Sequence, residues 1–83
     1  MGLTFSEEAK RGIRLQLELQ VALDNNAINY FKERLSVYTD FKNKGMYGLS
    51  LTINALQNRI AKIIRERDQR MQLIASYQEQ GLL

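Results

Sequence analysis

Ile13-Arg14-Leu15-Gln16-Leu17-Glu18-Leu19-Gln20-Val21-Ala22-Leu23 alternates apolar and polar residues, and on its own it reads as a half-buried strand. Its composition points the other way. Leu, Gln, Glu and Ala favour helices and β-branched residues are scarce, so local propensity opposes the alternation. Spacing over a longer range separates the two readings. Ile13, Leu17, Val21, Asp24, Ile28, Phe31, Leu35 and Tyr38 advance in steps of three and four, which keeps one stripe on one side of a helix through the ambiguous segment. The alternation is then the trace of a second apolar stripe, Leu15, Leu19, Leu23, Tyr30, Val37 and Phe41, lying well round from the first. The segment reads as a helix with two apolar faces.

Outward from it, Lys44-Gly45-Met46-Tyr47-Gly48 is the one clear interruption, with two glycines inside and the cations Lys42 and Lys44 where a helix C-terminus favours them. Thr4 followed by Glu7 forms a capping-box pattern that starts the first helix near Phe5. Beyond the turn, Leu49, Ile53, Leu56, Ile60, Ile63, Arg67, Met71, Ile74 and Tyr77 repeat the helical stepping, with Ser50 as a candidate cap. The tail from Gln78 to Leu83 is expected to fray after Gly81. The expected fold is an all-α antiparallel helical hairpin in a single domain, residues 1–83, with helices over about 5–44 and 49–79 and a turn at 45–48.

Each stripe carries one charged residue, Asp24 in the first arm and Arg67 in the second, of opposite sign. In a hairpin closed at the Gly45 to Gly48 turn, residues whose numbers add to about ninety-three lie level at 1.5 Å rise per residue. Asp24 and Arg67 are therefore expected to pair across the seam and fix the register, with desolvation offsetting much of their attraction. The competing reading takes Asp24, Asn25 and Asn26 as a helix break with an N-cap and Arg67 as snorkelling to solvent, giving three helices.

Composition narrows the function. The 83 residues include no cysteine, histidine, proline or tryptophan. Disulfides, thiol nucleophiles, imidazole bases and the usual zinc and iron ligand sets are thereby removed. No catalytic, cofactor-binding or metal-ligating residue is expected, and Gly45 with Gly48 lacks the Lys-Ser/Thr of a phosphate cradle. At 45% hydrophobic and 25% charged residues the chain should fold. It has no apolar run long enough for a membrane span and no signal-peptide start, so a cytoplasmic location is the expectation.

A chain of this length is marginal by itself, and the second stripe would leave a hairpin with a large uncovered apolar face. The expected partner is the chain itself, as a dimer or tetramer completing a bundle or coiled coil, or another helical protein. The expected role is that of an assembly, adaptor or chaperone-like subunit, with Leu15, Leu19, Leu23, Tyr30, Val37 and Phe41 as its partner-binding residues. Nucleic acid is the less favoured partner. Arg59, Lys62 and Arg70 share a face, but Glu66 lies among them and the net charge is only +3. If Gly12 to Val21 were a strand, followed by helices near Asn26 to Asn43 and Ser50 to Arg67, the chain would resemble a ribbon-helix-helix repressor, with Arg14, Gln16 and Glu18 facing the groove.

Two segments, Glu18-Leu19-Gln20-Val21-Ala22-Leu23-Asp24 and Leu35-Ser36-Val37-Tyr38-Thr39-Asp40-Phe41-Lys42-Asn43, together about a fifth of the chain, resemble pieces of the type III secretion needle-subunit family. That resemblance implies a small helical hairpin that polymerises. The needle family places a proline-containing turn between these segments, whereas this chain has no proline and its turn comes later, at Gly45 to Gly48. The general shape is also similar to the small helical co-chaperones that keep such subunits soluble. No functional residue is carried over from either.

Overall fold

A computed structural model describes residues 6–83 as two helices, α1 (Glu7–Asn43) and α2 (Ser50–Glu79), folded back on each other as an antiparallel hairpin. The rod measures 63 × 19 × 14 Å. No strand occurs among the described residues, so Ile13 to Leu23 are helical and the ribbon reading is corrected. The three-helix reading is corrected too, because α1 runs unbroken through Asp24, Asn25 and Asn26. Asp24 does not cap a new helix because its carboxylate is engaged elsewhere, accepting hydrogen bonds from the side chains of Gln20 and Arg70. The segments 18–24 and 35–43 both lie on this one helix with no turn between them.

The helix ends follow local chemistry. Ser6 is the N-cap of α1, its Oγ accepting from the Ala9 N–H at 3.1 Å, and Glu7 and Glu8 complement the positive end of the helix dipole. The helix thus starts at Glu7 on a Ser6 cap rather than near Phe5 on Thr4, and Thr4 and Phe5 themselves lie outside the described residues. At the other end Gly45, at φ 97°, donates its N–H to the Lys42 carbonyl and Met46 donates to the Phe41 carbonyl, both at 3.1 Å. This is a Schellman closure, which needs a residue tolerant of positive φ. The same closure recurs after α2. Gly81 donates to the Gln78 carbonyl at 3.1 Å and Leu82 to the Tyr77 carbonyl at 2.8 Å, so the tail turns back where fraying was expected. Leu82 and Leu83 then line a small cavity with Ile13 and Tyr77. Ser50 is not a cap: it is the first residue of α2, whose N-cap, Leu49, makes no side-chain capping bond.

The first stripe of α1 faces α2 along its whole length. Ile28 is the most buried apolar residue, clustering with Ile60 and Ile63, while Ala27, Phe31, Leu35 and Ile64 pack around them. Ile53 is the remaining buried apolar residue among those described. Four buried isoleucines make a thin core, as expected of two helices that touch along a single seam.

Because a Cβ on Gly45 would meet no atom within 4 Å, Gly45→Ala introduces backbone strain without a clash. Denaturant unfolding of Gly45→Ala should show a loss of about 1–2 kcal/mol, with Gly45→Asn recovering part of it. Equal stability of Gly45→Ala and the parent would contradict the assigned closure.

Candidate interaction surface

Two features stand out from the hairpin: a polar layer inside the seam and an apolar face outside it. In the seam Asp24 is only 7% exposed. Its Oδ2 accepts from Nη1 of Arg70 and its Oδ1 from Nε2 of Gln20 at 3.5 Å. Arg67, the expected partner, lies close by but is differently engaged. Its Nη1 donates to Asn25 Oδ1 at 2.9 Å, and its Nε and Nη2 donate to Asp68 Oδ1 at 3.2 and 3.1 Å.

The Asp24–Arg67 pair is therefore replaced by Asp24–Arg70 and Asn25–Arg67, one helical turn apart along α2. Level matching accounts for the change, since position 70 sits closer than position 67 to the height of position 24. Along α2 the inward residues are Ile63, Arg67, Arg70, Ile74 and Tyr77, in alternating steps of four and three, so Arg70 lies on the seam and Met71 is exposed. The expected stripe took two steps of four in succession, from Ile63 through Arg67 to Met71, which carries it off the seam by one position. Among the described residues, no buried side-chain nitrogen or oxygen lacks a partner. Arg70 keeps about a third of its side chain in water, which moderates both its desolvation cost and the strength of the pair.

The apolar face is where the sequence places it. Leu15, Leu19, Leu23, Tyr30, Val37 and Phe41 are each between 42% and 60% exposed, all on the side of α1 turned away from α2. Arg34 lies against its C-terminal half, with Nε donating to the Tyr30 hydroxyl at 3.1 Å and the guanidinium carbon 5.1 Å from the Tyr30 ring centre. The hydrogen bond to the Tyr30 hydroxyl, with Tyr38 as the smaller influence, raises the Arg34 pKa above its ordinary value. Tyr30 also meets Phe31 edge to face at 5.4 Å. A shallow pocket runs between Tyr30, Arg34, Val37 and Phe41. Aromatic and arginine side chains with a fixed geometry beside aliphatic ones are the residue types that dominate binding energies at interfaces.

The basic face of α2 is less available than its sequence implies. Arg70 is held by Asp24, and Arg59 lies over the Phe31 ring at 5.8 Å from its centre. The turn offers apolar surface that sequence reasoning missed: Tyr47 is 96% and Leu51 83% exposed, with Met46 beside them. The signal for Met46 and Tyr47 is the apolar pair they form between Gly45 and Gly48, and for Leu51 its place off the stripe of Leu49, Ile53 and Leu56. Among the described residues no cluster of three acidic, histidine or cysteine side chains could hold a metal ion. No described helix is long and apolar enough to cross a membrane. Comparison of the chain with protein-family models, curated proteins and solved structures finds no match.

The layer predicts a specific energetic coupling. In a double-mutant cycle followed by urea unfolding, Asp24→Ala and Arg70→Met should couple by about 1–2 kcal/mol, while Asp24→Ala and Arg67→Met should be additive to within about 0.5 kcal/mol. A larger coupling to Arg67 than to Arg70 would contradict the register described.

Proposed function

We propose that the chain is a non-enzymatic helical interaction protein, an assembly, adaptor or chaperone-like subunit, whose working surface is the second apolar stripe of α1. The observation that carries this reading is the continuous, half-exposed row from Leu15 to Phe41 on a hairpin whose own core is four isoleucines. Six such side chains present on the order of 500–600 Å² of apolar area, near the upper limit of what monomers leave in contact with water. Covering that area with a second helical surface gains stabilisation of roughly 25 cal/mol per Å², part of which is lost to the cost of association. A hairpin that hides one face in its seam and keeps a second apolar face outside is half of a helical bundle.

Support for a DNA-binding role is weaker. The ribbon that would enter the groove is part of α1, and two of the three aligned cations of α2 are engaged by α1. The composition, without histidine or cysteine, favours a binding role over a chemical one.

A charge placed in the middle of the stripe should abolish assembly while sparing the hairpin. Leu19→Asp and Tyr30→Asp should each weaken association at least about 100-fold, read by sedimentation, with far-UV circular dichroism still strongly helical. Unchanged sedimentation of both variants would contradict the assignment of the surface.

A further inference from the structure

Resting on that reading, we infer that the stripe is covered by a second copy of this chain, its α1 packed antiparallel against the first about a two-fold axis at Asn26. The inference comes from the pattern of α1 itself. Asn26 is exposed and, at 100° per residue, falls on the stripe between Leu23 and Tyr30, where an apolar residue would continue the row; the exposed Glu33, at the stripe's edge, comes level with Leu19. With the axis there, residues whose numbers add to about fifty-two lie level in the two helices. Leu15 then meets Val37 of the other copy, and Leu23 meets Tyr30.

Gly12 meets Phe41. Gly12 costs a helix interior about 1 kcal/mol relative to alanine, and among the described residues nothing beyond its own stretch of helix lies within 4 Å of where its Cβ would be. A bulky ring from the second copy gives that gap an occupant. Asn26 meets itself, and a self-paired asparagine in an apolar seam fixes register and the number of strands.

The charges bordering the stripe match in the same register. Glu8 comes level with Lys44 at the two ends of the stripe, at the same angle as Asn26, and Arg11 comes level with Asp40 on its flank; all four are exposed. Lys44 and Asp40 already pair within the chain at 2.9 Å. Each end of the interface therefore gathers alternating charges, Glu8 and Arg11 from one copy around Lys44 and Asp40 of the other. A parallel arrangement does the opposite, setting the residues near the middle of the stripe beside their own copies, Glu8 near Glu8 and Lys44 near Lys44. Like charges so placed are repulsive. Twice the apolar area of one stripe, with the flanking residues added, reaches the lower edge of what specific interfaces bury.

The chain contains no cysteine, so introduced thiols report on pairing without background. Full-length Asn26→Cys should oxidise to a disulfide-linked dimer. Leu15→Cys mixed with Val37→Cys should cross-link at least tenfold faster than either alone, because the two positions lie about 33 Å apart along one helix. Ser36→Cys, exposed on another side of α1, serves as the collision control, and circular dichroism under reducing conditions checks that each variant folds. Rapid self-cross-linking of Leu15→Cys or Val37→Cys alone would overturn the inference in favour of parallel pairing. Cross-linking of Ser36→Cys as fast as Asn26→Cys, or of none of the variants, would also overturn it. If the cross-links fail while Leu19→Asp still changes sedimentation, the stripe remains the docking face and only this arrangement falls. If neither responds, the docking reading falls with it.

Discussion

Two helices that pack against each other can bury one side of each, and everything else in this molecule follows from that limit. The seam of α1 and α2 takes the first stripe and closes over Ile28, Ile53, Ile60 and Ile63. It has no room for the second stripe, which lies on the opposite side of the same helix. A third layer could cover that face, but both described helices are already used in the seam. The apolar surface from Leu15 to Phe41 is thus a consequence of fold and sequence together, and an external helix is the natural means of removing it from water.

The seam also shows how little of its order comes from apolar packing alone. Leucine and isoleucine stripes tolerate sliding by a turn, because each turn presents a similar surface to its neighbour. Asp24 with Arg70, and Asn25 with Arg67, do not tolerate it. A slip of one turn in one direction would bring Ile74 to Asp24 and leave a nearly buried carboxylate without its cation; in the other, Arg67 would take the place of Arg70 and Asn25 would lose its arginine. The polar layer acts mainly through the alternatives it disfavours, while the Schellman closure at Gly45 sets the point from which the register is counted.

Much of this was legible in the sequence because helical periodicity is a long-range signal. The strand-like alternation of residues 13–23 was outweighed by a stripe running to Tyr38, and the six residues assigned to the outer face are all exposed. What failed was local. An Asp24–Arg67 pair follows from two charges that interrupt tidy stripes, whereas level and the alternation of fours and threes along α2 select Arg70 and leave Met71 outside. Thr4 and Ser50 matched capping patterns, yet α1 is capped by Ser6 and α2 has no side-chain cap. A capping residue is defined by one backbone torsion and one hydrogen bond, and composition around it does not fix either. The exposed Tyr47 has a related cause, since periodicity describes the faces of a helix and is silent about a turn, while Leu51, in the first turn of α2, lies outside the stripe of Leu49, Ile53 and Leu56.

The central claim is that a folded hairpin of this chain completes itself through its outer face. Sedimentation equilibrium of the full chain, with circular dichroism melts recorded over the same concentrations, tests it most directly. The account predicts a helical oligomer whose melting temperature rises with protein concentration, because burial of the outer stripe is linked to folding. A strongly helical monomer with a melting temperature independent of concentration would contradict it.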